Sequence, residues 1–167
     1  EWQEMLEKKK IRTVIARAGQ KINLGGGAEL DIYYPFKNFN GESLQNQHDA
    51  NIVMRLKYGK NSVVLTGDAE KSAEYQILWE ASKNPFFVLK SDVLKAGHHG
   101  SKTSSSPDFL KAVSPKWAVI SVGAKNRYGH PHQEILDRLS AVVRKIFRTD
   151  LDGDIQMESD GKNLILD

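Results

Sequence analysis

The stretch Ser62-Val63-Val64-Leu65-Thr66-Gly67-Asp68 decides the fold class predicted for this chain. Its unbroken run of apolar and β-branched residues is typical of a strand buried on both faces, as in a sheet covered by helices. Residues 69–82 then place apolar side chains at a helical spacing, so an amphipathic helix follows the strand directly. A buried strand followed by such a helix indicates an α/β fold.

Strands and helices keep alternating towards the C-terminus, and β-meanders flank this alternation at both ends. We predict strands over residues 12–16, 21–24, 28–34, 51–58, 117–122, 145–148, 155–158 and 164–166. We predict helices over residues 1–9 and about 131–143, and another that starts at residues 104–108. Hairpin turns are expected at residues 25–27, 59–61 and 150–153, and a loop at 35–49. The pattern indicates one domain, residues 1–167, with a mixed sheet and flanking helices.

Composition excludes several classes of protein. The chain has 167 residues, 40% of them hydrophobic and 27% charged, which is typical of a soluble globular domain. No stretch approaches the ~20 consecutive apolar residues of a membrane span. The absence of cysteine excludes disulfides, thiolate zinc sites and a cysteine nucleophile, so any metal must bind to His, Asp or Glu. The net charge of +3 suits an anionic partner, although so small an excess is more often a solvated surface.

Three polar clusters each follow a buried strand. They are Thr66-Gly67-Asp68, then Gly97-His98-His99-Gly100-Ser101, and then the segment 121–132. In open α/β sheets the carboxyl ends of the strands form the crevice where ligands bind. Four of the five histidines lie in the second and third clusters, and Asp68 adds a carboxylate. These are ligand types that bind zinc or manganese.

Each cluster also has a simpler interpretation. Asp68 could cap the following helix, and His132 could cap the helix that starts beside it. On an extended segment the adjacent His98 and His99 would point in opposite directions, so only one would readily reach a given metal. The serines of residues 101–106 could bind phosphate together with a helix N-terminus, or serve as a plain N-cap.

Read together, the motifs resemble a known family. Leu65-Thr66-Gly67-Asp68, the stretch 93–101 and Tyr128-Gly129-His130-Pro131 resemble the C-terminal half of the metallo-β-lactamase fold, in the version found in ComEC-type DNA-uptake competence proteins. The resemblance runs from about residue 14 to the end of the chain. It implies an αββα sandwich of which this chain forms the C-terminal portion, with a mixed sheet and flanking helices.

The resemblance also implies roles for individual residues. Asp68 matches the carboxylate that bridges two metal ions, and His98 matches a ligand of the second metal, with His99 as the alternate. His130 matches a group beside the metals that contacts substrate and takes part in catalysis. We expect substrate contacts from the following residues: Ser101, Ser104, Asn126, Tyr128 and His130. Two zinc or manganese ions would activate a water molecule for phosphodiester hydrolysis, which implies a nuclease that acts on DNA during competence uptake.

One part of the family pattern is missing. The signature His-x-His-x-Asp-His, which supplies the remaining ligands, does not occur in this chain. We therefore expect an N-terminal half of the domain elsewhere, and weak or no metal binding and no activity without it. The expected partners are DNA or another phosphodiester, that N-terminal half, a membrane-spanning channel part of the same protein, and a second copy through an uncovered apolar face. The resemblance favours an extracytoplasmic domain of a bacterial inner-membrane protein.

Two other functions remain open at this point. The chain could be a non-catalytic binding or scaffold module that kept the fold and lost the metals. It could also belong to an esterase that cleaves a small phosphodiester of the phosphorylcholine type.

Overall fold

A mixed seven-stranded sheet organises the computed structural model, which describes residues 1–167. The strands lie in the sheet in the order of the chain, antiparallel from the first to the fourth and parallel from the fourth to the seventh. They are β1 (Lys21–Gly25), β2 (Ala28–Tyr34), β3 (Val53–Tyr58), β4 (Asn61–Leu65), β5 (Val93–Lys95), β6 (Trp117–Ile120) and β7 (Lys145–Arg148). A separate antiparallel hairpin consists of β8 (Met157–Ser159) and β9 (Leu164–Leu166).

Helices connect the parallel strands, as parallel pairing requires. Of the five helices, α1 (Trp2–Lys8) precedes β1, and α5 (Thr149–Asp152) follows β7. The three that connect parallel strands are α2 (Lys71–Lys83), α3 (Pro107–Val113) and α4 (Gln133–Ser140). Short 3-10 turns cover Gln47–Ala50 and Gly97–Gly100. The start of α3 shows the local cause, because Pro107 occupies the first helical position and the Ser106 hydroxyl accepts a hydrogen bond from the Phe109 N–H. No helix is both long and apolar enough to cross a membrane.

The core lies between the sheet and the helices that cover it, and its side chains come mainly from the parallel strands and from α2, α3 and α4. Strand β4 is buried along almost its whole length, as predicted for a strand covered on both faces. The core includes side chains with less than 2% exposure from both layers: Val53, Val64, Leu94, Ala118 and Ile120 from the sheet, and Ile77, Phe109, Leu110, Ile135 and Leu139 from the helices. This packing supports the loops at the carboxyl ends of β4, β5 and β6.

The mixed sheet with flanking helices is confirmed, and three local predictions are wrong. Residues 12–16 form no strand, because they have no ladder partner beside β1 and are largely exposed. Residues 150–153 form no hairpin turn, because β7 pairs with β6 in parallel and the chain then forms α5. The capping role of Asp68 is also wrong, since α2 begins at Lys71 and Glu70 occupies its N-cap position. His132 does occupy the N-cap position of α4, but its side chain makes no capping hydrogen bond.

Candidate functional site

Three loops meet at the carboxyl ends of β4, β5 and β6. The His98 N–H donates to the Gly67 carbonyl at 3.1 Å, which joins the second loop to the first. The His132 N–H donates to the Gly100 carbonyl at 3.0 Å, which joins the third loop to the second. All five histidines of the chain gather here, with 4.2–6.3 Å between the centroids of neighbouring rings: His48, His98, His99, His130 and His132.

Hydrogen bonds with the Asn51 side chain fix the turn that carries Asp68. The Asn51 side chain donates to the Thr66 carbonyl at 2.6 Å and accepts from the Asp68 N–H at 2.9 Å. Gly67 adopts φ +54°, and a Cβ there would collide with the Asn51 side chain, so the close approach requires glycine. The Lys95 ammonium donates to the Gly67 carbonyl at 3.2 Å; burial lowers the pKa of Lys95, and the Asp68 carboxylate opposes this shift. The Asp68 side chain itself stays 40% exposed.

The backbone at His98 and His99 is left-handed, with φ values of 45° and 55°. The extended conformation expected for this segment is therefore wrong, and each ring meets a different carboxylate. That only one of the two histidines reaches a given metal stays a prediction. His99 Nε2 lies 3.4 Å from Asp68 Oδ1, whereas His98 Nδ1 lies 3.3 Å from Glu70 Oε1. Two consecutive non-glycine residues in this conformation cost about 1–3 kcal/mol each, and such strain is concentrated at functional sites.

The protonation of His99 follows from its hydrogen bonds. Its Nδ1 lies 2.6 Å from the Ser121 carbonyl oxygen, which can only accept, so Nδ1 carries a proton. In the neutral ring Nε2 then carries a lone pair, and it lies 3.4 Å from Asp68 Oδ1. Metal-binding histidines are typically held in this way by a carbonyl on the opposite nitrogen. Asp68 and His99 thus offer two ligand atoms of the type that a divalent metal takes.

A second group surrounds Glu70. Its two carboxylate oxygens accept from the Thr103 hydroxyl at 2.8 Å and from the Asn46 amide at 3.1 Å. Burial raises the pKa of Glu70, but these two donors and the nearby His48 and His98 outweigh that effect and hold the pKa below its ordinary value. One ligand atom from each of Glu70, His48 and His98 lies within 4.8 Å of the others.

His48 and Glu70 were not among the candidate residues from the sequence. Glu70 stands two positions after Asp68 in the same turn, and that proximity was the available signal. His48 lies in a loop without periodicity and carries no local signal, because only the folding of that loop places it against His98, with 4.2 Å between the ring centroids.

Asn126 shapes the third loop. Its side-chain oxygen accepts from the N–H groups of Tyr128 and His130 at 3.2 and 2.9 Å, and its amide donates to the carbonyls of Gly123 and His130 at 2.9 and 2.7 Å. Asn126 is therefore engaged in positioning Tyr128 and His130. A small cavity lies against this loop and is lined by His99, Val122, Gly123, Asn126, Tyr128 and His130.

His130 lies among other imidazoles. Burial and then the neighbouring His132, His98 and His99 lower its pKa. The imidazole is therefore neutral near pH 7 and offers one N–H donor and one lone pair.

The predicted serines are buried in the second loop. Ser101 Oγ lies 3.0 Å from Thr103 Oγ1, and the Ser104 hydroxyl donates to the Gly97 carbonyl at 2.8 Å. Neither of them caps α3, since Ser106 fills that position. Contact of Ser101 or Ser104 with a substrate stays a prediction, and it would require these internal bonds to rearrange.

Comparison with known proteins finds relatives among much longer competence proteins. No family model matches the chain. It is 41% identical over 111 residues to ComE operon protein 3 of Bacillus subtilis and 42% identical over 104 residues to competence protein ComA of Neisseria gonorrhoeae. It is 39% identical over 112 residues to recombination protein 2 of Haemophilus influenzae. These alignments cover 62–67% of this chain but only 13–14% of each relative, so the chain spans a small part of the proteins it resembles.

Proposed function

We propose that this chain is the C-terminal portion of a metallo-β-lactamase-type hydrolase domain that cleaves phosphodiester bonds of DNA during competence. Two findings support the proposal. The chain is similar to competence proteins over about two thirds of its length. Its polar loops also converge at the carboxyl ends of parallel strands, where α/β enzymes bind their ligands.

The contact between Asp68 and His99 carries the proposal. Because the proton of a neutral His99 ring is on Nδ1, two electron-pair acceptors face each other across 3.4 Å. Such a contact is repulsive unless a cation lies between the two atoms or the ring is doubly protonated. Aspartate oxygen and imidazole nitrogen fit zinc or manganese, so the residues present suit the ion that the family resemblance implies.

The residues of this chain have separable tasks in the proposed reaction. A divalent metal pair, when bound, supplies an activated water molecule and neutralises charge on the phosphate. Asp68 and His99 would hold metal here, with the other ligands coming from an N-terminal half of the domain. The neutral His130 imidazole donates its N–H to a non-bridging phosphate oxygen, and Asn126 fixes the loop in which that donor lies.

The test uses the full-length natural polypeptide that contains these residues, assayed on duplex DNA, single-stranded DNA and a nitrophenyl phosphodiester. Asp68→Asn should abolish hydrolysis of all three, because the amide keeps the shape and loses the charge. The matched control is Asp154→Asn, which changes an exposed aspartate outside the cluster and should leave turnover unchanged. Full activity of the Asp68 variant would refute the proposal.

The same assay separates His98 from His99 and tests the other two functions. His99→Ala should lose more activity than His98→Ala, because His99 faces Asp68. The opposite order would assign the ligand to His98, as the family resemblance alone implies. Binding of DNA without cleavage of any substrate would indicate a scaffold module. Cleavage of the nitrophenyl ester without cleavage of DNA would indicate a small-phosphodiester esterase.

A further inference from the structure

We propose that His48, Glu70 and His98 form a zinc site of their own beside the Asp68–His99 pair. This site is independent of the proposed hydrolase function, because it needs neither Asp68 nor a substrate. Two imidazoles and one carboxylate form a ligand set that binds zinc in hydrolytic enzymes, with a fourth position left to water.

The spacing of the ligand atoms suits a tetrahedral ion. Ligands at 2.0–2.1 Å from zinc lie about 3.4 Å from one another. His98 Nδ1 and Glu70 Oε1 are already 3.3 Å apart. The His48 ligand atom lies within 4.8 Å of both, so these distances have to shorten by at most ~1.4 Å. A rotation of the half-buried His48 side chain on its short 3-10 turn would supply that movement.

Glu70 is prepared for the ion by its neighbours. Asn46 and Thr103 each donate to a different oxygen of the carboxylate, which fixes its orientation and leaves a lone pair free on each oxygen. This is the outer-shell hydrogen bonding that orients metal-binding carboxylates. The side chains of Glu70 and His98 are each 22% exposed, so the ligand atoms are partly withdrawn from water and an ion can still reach them.

The ion would join three segments that are distant in sequence. His48 lies in the 3-10 turn Gln47–Ala50, Glu70 lies at the start of α2, and His98 lies in the loop after β5. The hydrogen bonds that join residues 46–50 to other segments run from the Tyr34 hydroxyl to the Asp49 carbonyl and from the Asn46 amide to the Glu70 carboxylate. Zinc would therefore act as a cross-link between residues 46–50 and the loops that carry Asp68 and His99.

This proposal departs from the expectation of weak or absent metal binding. That expectation counted Asp68 and His98 as the only ligands in the chain. Three ligands held on folded segments should bind one zinc ion per chain, and binding should raise the melting temperature.

The experiment is zinc calorimetry on the metal-free 167-residue chain, with zinc content measured after dialysis. We expect one zinc ion per chain for the wild type. His48→Ala and Glu70→Gln should each weaken zinc binding by at least ~100-fold, since the loss of a direct ligand should exceed the 10–100-fold cost of losing an outer-shell partner. The matched control is Glu80→Gln, which removes a carboxylate from the same helix and should bind zinc as the wild type does.

A second variant keeps the test decisive if His48→Ala folds poorly. The chain contains no cysteine, so His48→Cys introduces a single thiol. With Co²⁺ in place of zinc, a thiolate-to-cobalt charge-transfer band in this variant should appear only if residue 48 is a ligand. Absence of that band would overturn the proposal, as would a wild type that binds no zinc.

The failures of the two proposals are distinguishable. Loss of tight zinc binding in Asp68→Asn but not in His48→Ala would place the ion between Asp68 and His99, which overturns this inference and leaves the proposed hydrolase intact. Zinc binding that depends on His48, in a protein without phosphodiesterase activity, would support the zinc site and overturn the proposed hydrolase function.

Discussion

Glu74 is a buried carboxylate that holds the loop next to His98 and His99, and the change Glu74→Gln tests that role. Only 1% of Glu74 is exposed. Its two oxygens accept from the backbone N–H groups of Ser105 and Ser106 at 2.5 and 2.8 Å. Ser105 has a φ of +52°, so this loop would not keep its course without such partners.

The expected loss of stability follows from those two bonds. A hydrogen bond to a charged group contributes about 1.5–3 kcal/mol, and an unsatisfied buried N–H costs about 1–3 kcal/mol. Glutamine keeps one acceptor oxygen, but its NH₂ group faces the other backbone N–H. Part of this loss is offset because the neutral amide is easier to bury than a carboxylate. We therefore expect Glu74→Gln to lower the free energy of unfolding by about 2–4 kcal/mol.

Urea unfolding at pH 7, followed by circular dichroism, measures this change. The matched control is Glu80→Gln on the same helix, for which no side-chain partner exists and a change within about 0.5 kcal/mol is expected. A loss below about 1 kcal/mol in the Glu74 variant would show that the two hydrogen bonds do not hold the loop.

Four further outcomes are expected. Burial raises the pKa of Glu74 above its ordinary value of 4.5, and the hydrogen bonds from Ser106 and Ser105 only partly oppose this. The folded state therefore holds the Glu74 proton more tightly than the unfolded state does. The difference in the free energy of unfolding between the wild type and Glu74→Gln should fall as pH rises from about 4.5 through the raised pKa. Urea titrations in which this difference rises with pH would contradict the prediction. Leu139→Ala empties a fully buried position and should cost 2–5 kcal/mol in the same assay, whereas a negligible change would mean that the core closes over the gap. In the full-length protein, His130→Ala should keep its metal content and lose ~10²–10⁴-fold in turnover. Turnover at the wild-type level would show that the loop has only a structural role. Loss of metal would show that His130 is a metal ligand. Ile22 and Leu24 are 47% and 53% exposed on the edge strand β1. The chain should therefore self-associate at high concentration in sedimentation, and lysine at both positions should prevent this association. A strictly monomeric wild type would contradict the prediction.

The succession of strands and helices along the chain and the position of the polar clusters were predictable from local patterns. Most of the run at residues 62–66 is buried, as its apolar and β-branched composition predicts. Helix α2 follows it, as the helical spacing of apolar residues within 69–82 predicts. Burial acts on every turn of a helix and every second residue of a strand, so it leaves a periodic record in the sequence. Residues 12–16 show the limit of such local patterns, because the β-branched Thr13, Val14 and Ile15 favour a strand but cannot supply a ladder partner.

Local sequence patterns were enough to predict an α/β domain with carboxylate and imidazole groups after its buried strands. Which of these groups contact one another depends on long-range folding. It placed His99 against Asp68, and His98 against Glu70 and His48. The physical reason is that these pairings depend on a left-handed backbone at His98 and His99 and on a loop that folds back from more than twenty residues upstream. Neither the left-handed conformation nor a contact between distant loops follows from periodicity, because both are imposed by packing and hydrogen bonds between segments that are remote in the chain.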